Sequence, residues 1–122
     1  MNFGQAIASG FKKYVDFTGR AARSEFWFWT LFAVLASIAG GVIDFVLFPD
    51  VLASPVQSIV GLVLFLPGLA VSIRRLHDID RTGWWFLLVF TVIGLIVLLV
   101  WNCMRGTPGP NRFGPDPLAG AP

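Results

Sequence analysis

Charge is what this sequence most lacks. Only 13% of its 122 residues are charged, roughly half of what a soluble protein of this size needs to cover its surface. No charged residue occurs in the stretches 26–43, 51–73 and 82–104. A helix of about 18 residues rises about 27 Å, close to the roughly 30 Å hydrocarbon thickness of a bilayer. The pattern therefore predicts an all-α membrane protein.

Cysteine and histidine are almost absent as well. The one cysteine, Cys103, permits no internal disulfide, and its place near the end of an apolar stretch favours packing over redox chemistry. One histidine and one cysteine far apart in sequence do not form a metal-ligand set, so we expect no metal and no other cofactor. Basic residues occupy short junctions rather than one exposed face, which argues against nucleic acid as a partner.

The apolar periodicity predicts a single membrane domain over residues 1–122. Its expected elements are an N-terminal interfacial amphipathic helix over 3–17, three transmembrane helices over 21–48, 55–77 and 82–104, and an irregular tail over 105–122. We expect Pro67 to kink the second span, because proline frees a backbone carbonyl that neighbouring groups must satisfy.

Two features of the first span concern its packing and its polarity. Ala33, Ser37 and Gly41 fall on one helical face, with Ala36 and Gly40 beside them, and such small residues allow a second helix to approach closely. Asp44 lies among apolar residues, where an acid at mid-bilayer costs about 2.5–3.5 kcal/mol. We place Asp44 one turn from the outer boundary with water within reach; an ion or proton relay is the alternative.

The distribution of basic residues predicts the orientation. One side holds Lys12, Lys13, Arg20, Arg23, Arg74, Arg75 and Arg81, whereas the loop on the other side has none. The excess of Lys and Arg in cytoplasmic loops places the N-terminus and the second loop in the cytoplasm and the C-terminus outside. A re-entrant third segment hinged at Gly94 is the alternative and would return the tail to the cytoplasm.

Polar side chains gather at the cytoplasmic boundary. In one interpretation the arginines fix topology and bind lipid phosphates, while Glu25, Asp78 and Asp80 are their ion-pair partners. In the other, arginines converge on an anion or lipid headgroup with His77 tuning the site by pH, since Arg suits bidentate phosphate binding. The residues of this hypothetical site are Arg20, Arg23, Arg74, Arg75, His77 and Arg81.

Catalysis has weak support in this pattern. His77 and Asp78 are adjacent, and adjacent residues on a helix do not face each other. Neither Ser24 nor Ser72 lies in a motif that would make it a nucleophile. We therefore expect no catalytic residue and no enzymatic activity.

The same junctions resemble a known family. The pieces are 19–27 (GRAARSEFW), the block Arg74-Arg75-Leu76-His77-Asp78 followed by Arg81 and Gly83-Trp84-Trp85, and the tail pieces 106–109 (GTPG) and 111–117 (NRFGPDP). In this order they resemble the small bacterial inner-membrane proteins of the domain-of-unknown-function 805 family, which are YhaH-like. Members often carry a proline midway through the third span, where this chain has Thr91-Val92-Ile93-Gly94. The resemblance implies a multi-pass inner-membrane protein and no known activity.

The expected function is that of a non-enzymatic accessory or lipid-associated membrane component. The expected partners are membrane lipids and a second copy or another membrane protein. The alternatives are an oligomeric carrier of small solutes or ions, and a membrane-embedded enzyme acting on lipid headgroups. A carrier would need polar or ionisable groups along a cavity, and few such groups occur within the apolar stretches.

Overall fold

The structure is a computed structural model that describes residues 2–118. Within that range the chain forms α1 (Phe3–Lys12), α2 (Arg23–Leu47), α3 (Pro55–Asp78), a 3₁₀ helix (Gly83–Phe90) and α4 (Val92–Cys103). The predicted all-helical membrane fold is confirmed. The tail was predicted to be irregular over 105–122. The structure describes it as far as Leu118, with turns and bends but no helix, and its last four residues lie outside the described residues.

Helices α2 and α3 are long and apolar enough to cross a membrane. Their bounds differ from the predicted spans 21–48 and 55–77 by at most two residues. Their most apolar windows are only 11% and 17% buried, and large side chains such as Phe45 and Leu62 point outward. Lipid chains can cover such a surface directly, whereas exposing it to water is unfavourable.

Asp44, near the end of α2, caps the beginning of α3. Its two carboxylate oxygens accept hydrogen bonds from the backbone N–H groups of Val56 and Gln57, each at 2.9 Å. Ser54 precedes α3 without capping it through its side chain, so Asp44 provides the negative charge that a helix N-terminus favours. Asp44 is 4% exposed. The expectation of water within reach of this acid was wrong, because backbone N–H groups of the neighbouring helix bind its carboxylate.

The small-residue face of α2 contacts α3 at Gly40 and Gly41. A Cβ atom on Gly40 would lie 3.2 Å from the Cα atom of Gln57, and the Gln57 amide donates to the Ser37 carbonyl at 3.1 Å. The predicted close approach of a second helix therefore occurs at this end of the face. Nearer Ala33 the two helices separate around a cavity.

Pro67 leaves the Val63 carbonyl without its usual helical donor. Proline has no N–H group, so the bond from residue 67 back to residue 63 cannot form. The Tyr14 hydroxyl donates to that carbonyl instead. A side chain that follows α1 thus satisfies the backbone group that Pro67 frees inside α3.

Helix α1 is shorter than the predicted helix over 3–17. It starts at a capping box in which Asn2 accepts from the Gln5 N–H at 2.8 Å and Gln5 accepts from the Asn2 N–H at 3.0 Å. It ends at Lys12. Beyond it, the Asp16 carboxylate accepts from the N–H and the hydroxyl of Thr18 at 2.9 and 2.6 Å, which lowers the pKa of Asp16. Such local bonds compete with continuation of a helix.

The structure corrects the predicted continuous helix over 82–104. The 3₁₀ helix ends at Phe90, and Thr91 is extended with φ −124° and ψ 148°. The Thr91 hydroxyl then accepts from the Gly94 N–H at 2.9 Å and caps α4. Helix α4 has 12 residues and rises only about 18 Å, less than the bilayer core. The break allows the segment to turn back on itself.

The two halves of this segment form a helical hairpin. Trp85, near its start, contacts Trp101, near its end, with ring centroids 5.6 Å apart. The side chain of Arg23, at the start of α2, donates to the Cys103 carbonyl at 3.2 Å. Helix α4 therefore ends at the same end of the bundle where α2 begins and α3 ends, which we call the cluster end. The re-entrant alternative describes this path, with the break at Thr91 rather than at Gly94.

The expected outside location of the C-terminus is corrected by the same observation. The tail lies at the cluster end, so Arg105 and Arg112 join the arginines of the junctions there. All Lys and Arg residues precede residue 24 or follow residue 73, whereas Asp44 and Asp50 lie between. The excess of basic residues then predicts that the whole cluster end lies in the cytoplasm.

A reporter fused to the C-terminus tests this topology. We expect green fluorescent protein to fluoresce there and alkaline phosphatase to be inactive, as for fusions to the N-terminus. Fusions in the loop between α2 and α3 are the control and should give the opposite pattern. Active phosphatase at the C-terminus would mean that the third segment crosses the bilayer.

The Gly10→Ala substitution tests the packing of α1 on α2. A Cβ atom on Gly10 would lie 2.2 Å from the Trp29 ring, whereas a Cβ atom on Gly4 would meet its nearest atom at 3.7 Å. Both substitutions raise helix propensity by about 1 kcal/mol, but overpacking at Gly10 should cost about 1–3 kcal/mol. Thermal unfolding in detergent should show Gly10→Ala below Gly4→Ala, and equal stability of the two variants would refute the contact.

Candidate functional site: the arginine cluster

The predicted site residues come from two stretches of the chain, 20–25 and 74–81. Arg20 precedes α2, whose first turn holds Arg23 and Glu25; the residues from Arg74 to Asp78 end α3, and Asp80 and Arg81 follow it. We call this set the arginine cluster. Its buried members are Arg20, Glu25, Arg74, Arg75, His77 and Asp78. Arg23 and Asp80 are exposed, and Arg81 is half-buried.

Asp78 is the acid on which two of the buried arginines converge. One carboxylate oxygen accepts from Arg20 Nε at 3.0 Å, and the other accepts from an Arg75 terminal nitrogen at 2.8 Å. Both arginine side chains are 1% exposed and that of Asp78 is 2% exposed. A buried acid and a buried base have both lost their hydration. Their attraction offsets that loss only when hydrogen bonds of good geometry satisfy both groups.

Arg20 joins Asp78 to the C-terminal tail. Its terminal nitrogens donate to the carbonyls of Thr107 at 2.6 Å, Gly109 at 2.7 Å and Gly114 at 3.4 Å. A further bond reaches the Asp78 carbonyl at 3.2 Å. With the Nε bond, the guanidinium makes as many hydrogen bonds as it has N–H groups. In this conformation Arg20 has no donor left for a ligand.

The backbone of the tail also contacts Asp78 directly. The Thr107 N–H donates to the Asp78 carbonyl at 2.7 Å. Gly106 is buried, and a Cβ atom there would lie 2.0 Å from a carboxylate oxygen of Asp78. Only glycine permits this approach of the tail to Asp78.

Asp116 holds the fold of the tail itself. Its carboxylate accepts from the backbone N–H groups of Leu118 and Gly109, both at 2.9 Å. These bonds, that of Leu118 first, lower the pKa of Asp116. The lowered pKa means that they stabilise the tail above the ordinary carboxyl pKa and are lost as the pH falls through the lowered one.

His77 is enclosed by backbone and tail. Its Nδ1 atom lies 2.9 Å from the Gly19 carbonyl, and since a carbonyl only accepts, Nδ1 carries the proton. Its ring stacks on Phe113 with centroids 4.0 Å apart. Asn111 donates to the His77 carbonyl at 3.0 Å. His77 and Asp78 therefore have different partners and form no acid–base pair.

Arg75, Arg23 and Trp27 bind the C-terminus of α4. The last carbonyls of a helix have no partner within it. Here Arg75 donates to the Trp101 carbonyl at 3.2 Å and to the carbonyl of residue 104. Trp27 Nε1 donates to the carbonyl of residue 102 at 3.0 Å, and Arg23 donates to that of residue 103. The positive charges also suit the negative end of the helix dipole.

Arg74 connects α3 to α1 and α2. It donates to Glu25 at 2.8 Å, and the Ser9 hydroxyl donates to the same carboxylate oxygen at 2.7 Å. Among residues 2–118, no partner is found for the buried Nε and second terminal nitrogen of Arg74, or for Nε of Arg75. The interior of the cluster thus retains unsatisfied donors and an excess of positive charge.

Arg81 differs from the other arginines of the cluster. Its guanidinium lies 4.5 Å from the ring centroid of Trp101 and 5.5 Å from that of Trp85. No salt bridge or side-chain hydrogen bond of Arg81 is found in the described part of the chain. Asp80, predicted as an ion-pair partner of the cluster, binds Arg112 of the tail at 3.1 Å instead. Within residues 2–118, Arg81 is the one arginine of the cluster for which none of the N–H donors has a protein partner.

Within residues 2–118 no three His, Cys, Asp or Glu side chains come close enough to hold a metal ion. The structure also adds residues that the sequence-based site lacked, chiefly the tail residues Gly106, Thr107, Gly109 and Phe113. Their signal in the sequence is turn chemistry: proline, glycine, asparagine and aspartate at close spacing form defined turns, and a tail with this composition need not be unstructured.

Comparison with known proteins gives a consistent family match. Residues 14–115 match the family described as "Protein of unknown function (DUF805)". The inner membrane protein YhaI of Escherichia coli (strain K12) is 47% identical over 119 residues, 96% of this chain and 98% of the relative. The inner membrane protein YhaH of the same strain is 44% identical over 109 residues, 87% and 90% of the two chains. No solved structure matches.

Removing either acid of the pair Asp78 and Asp80 tests how the cluster is held. Asp78→Ala leaves two buried arginines without their counter-charge and should lower the free energy of unfolding by about 3–5 kcal/mol. Asp80→Asn removes an exposed ion pair, keeps a residue type that tolerates the positive φ of 61° at this position, and should cost about 0.2–1 kcal/mol. Thermal unfolding in detergent distinguishes them, and a similar small loss for both would show that Asp78 does not organise this end.

Proposed function

The chain belongs to the DUF805 family of inner membrane proteins, and from this we propose that it is a non-enzymatic, lipid-associated component that binds anionic headgroups through Arg81. The remaining arginines of the cluster mainly bind protein groups and hold the cytoplasmic end together. The proposed ligand is the phosphate group of an anionic phospholipid.

The surroundings of Arg81 carry this proposal. Trp85 and Trp101 are amphipathic rings of the kind that lie at the headgroup level. Cation–π contacts with the two rings hold the guanidinium in place, while its N–H groups have no acceptor in residues 2–118. A planar guanidinium with unused donors at headgroup depth suits a phosphate, which it can bind through two parallel hydrogen bonds.

The charge distribution supports the same proposal. Basic residues outnumber acids at the cluster end and are absent from the chain between residues 24 and 73. The anionic cytoplasmic leaflet attracts such residues by about 1 kcal/mol for each Lys or Arg near the surface. An anionic lipid would offset the excess charge.

Two observations favour lipid association over a carrier or an enzyme. A cavity of about 520 Å³ between α2, α3 and the 3₁₀ helix has no charged residue in its lining, although a path for ions or polar solutes needs such groups. His77, the base that a headgroup enzyme would use, is 8% exposed and covered on one face by Phe113. Both features suit a stable membrane component.

Retention of native lipids tests the proposal. The protein is purified in mild detergent, and bound phospholipids are quantified by mass spectrometry, with phosphatidylglycerol compared to phosphatidylethanolamine. We expect enrichment of the anionic lipid in the wild type and a loss of about fivefold in Arg81→Gln, which corresponds to about 1 kcal/mol. Arg81→Lys should recover part of it, because it restores the charge without the planar fork.

Arg112→Gln is the matched control. Arg112 is more exposed than Arg81, but Asp80 occupies its guanidinium, so its loss should change the lipid ratio little. An Arg81→Gln protein that unfolds normally and retains the wild-type lipid ratio would refute the assignment.

A further inference from the structure

A cavity of about 520 Å³ lies between α2, α3 and the 3₁₀ helix. Its volume is within the roughly 300–1,000 Å³ range of small-molecule sites. Val34, Ile38 and Phe65 line it and are about half exposed on the outer surface, so the cavity opens sideways towards lipid. Deeper lining residues are Trp29, Ala33, Leu64, Gly68, Ser72 and Phe86.

The wall of this cavity contains an indole N–H group without a protein partner in residues 2–118. Trp29 is 3% exposed. One edge of its ring is fixed against Gly10 of α1, and its Nε1 atom lies beside Gly68 of the cavity wall. No hydrogen bond from the Trp29 N–H to any residue in 2–118 is found. Its Nε1 atom is not among the buried side-chain atoms of this range that lack a partner, so the N–H group is open to the cavity. A donor that faces an apolar cavity favours a ligand that carries an acceptor.

Two of the three hydroxyl groups in the wall are unavailable as donors to a ligand, and the third, that of Ser37, lies about two helical turns from Trp29 along α2. Thr30 donates to the Phe26 carbonyl at 2.9 Å, and Ser72 donates to the Gly68 carbonyl at 2.8 Å. Their protons are already bound within their own helices. Trp29 is therefore positioned to bind an accepting oxygen on an otherwise apolar ligand.

The depth of Trp29 fits one ligand in particular. Trp29 is six residues along α2 from Arg23, about 9 Å in a helix, and Ser72 precedes the buried Arg74 by two residues. A phospholipid carries ester carbonyls just inside its phosphate and hydrocarbon chains below them. Entry from the side would bring a chain into the cavity and its carbonyl to the indole.

We propose that this cavity binds one acyl chain of a phospholipid, with the ester carbonyl accepting a hydrogen bond from the Trp29 indole N–H. The site is separate from Arg81 and does not depend on the charge of the headgroup. It goes beyond the proposed headgroup contact, because it assigns a second lipid-binding site that recognises the acyl chain and its ester carbonyl.

An ester-to-ether comparison tests the hydrogen bond. Purified protein is equilibrated with equal amounts of diacyl and dialkyl phosphatidylcholine of the same chain length, and native mass spectrometry reports the retained lipid. The ether lipid lacks the carbonyl, so the wild type should prefer the ester by about fivefold, as for one hydrogen bond. Trp29→Phe keeps an aromatic ring but should lose the preference.

Two further variants test the cavity itself. Ala33→Phe places a large ring inside it and should abolish retention of both lipids, whereas Val46→Phe changes an exposed apolar residue outside the lining and should retain them. Equal retention of ester and ether by the wild type would overturn the carbonyl contact, and this comparison needs no variant to fold. Unchanged retention by Ala33→Phe, or a bound second copy in place of lipid, would overturn the acyl-chain site.

The use of a zwitterionic lipid separates this proposal from the one at Arg81. A lost ester preference with an intact effect of Arg81→Gln on phosphatidylglycerol would refute only the acyl-chain site. The converse result would refute only the headgroup site.

Discussion

The carboxylate of Asp78 holds together parts of the chain that are distant in sequence. It binds Arg20 ahead of α2 and Arg75 within α3, and these arginines bind the tail and the end of α4. Removing charges from water is unfavourable unless each finds partners in good geometry. The returning hairpin and the tail supply those partners through backbone carbonyls, so the buried charges and the path of the chain depend on each other.

The arginines of the cluster consequently have different roles. Arg20 binds the tail, Arg74 binds the acid that also contacts α1, and Arg75 caps α4. Arg20 and Arg75 use the fork of donors that distinguishes Arg from Lys, whereas Arg74 binds Glu25 through one terminal nitrogen. Arg81 has the same fork of donors, but its guanidinium lies over the rings of Trp85 and Trp101 and has no acid beside it. A basic cluster at a membrane boundary can therefore contain arginines that stabilise the fold and an arginine that is available to lipid. The partners of each guanidinium show which role it has.

The sequence predicted the two long helices closely, because uncharged length and flanking charge determine a span. Its resemblance to the DUF805 family was confirmed. The break at Thr91 could not be predicted from hydropathy, since the residues on both sides are equally apolar and the deciding bond is a local cap to Gly94. The cap by Asp44 and the contacts of the tail were missed for another reason: they join residues far apart in sequence, and composition carries no signal of such pairing.

Hydrogen–deuterium exchange of the tail most directly tests whether the buried cluster and the tail form one unit. Peptides covering residues 105–118 should exchange much more slowly in the detergent-solubilised protein than in an isolated peptide of the same sequence, because the N–H groups of Thr107 and Gly109 are bound. Asp78→Ala should abolish that protection. Exchange of the wild-type tail at the rate of the isolated peptide would contradict the buried assembly at the cluster end.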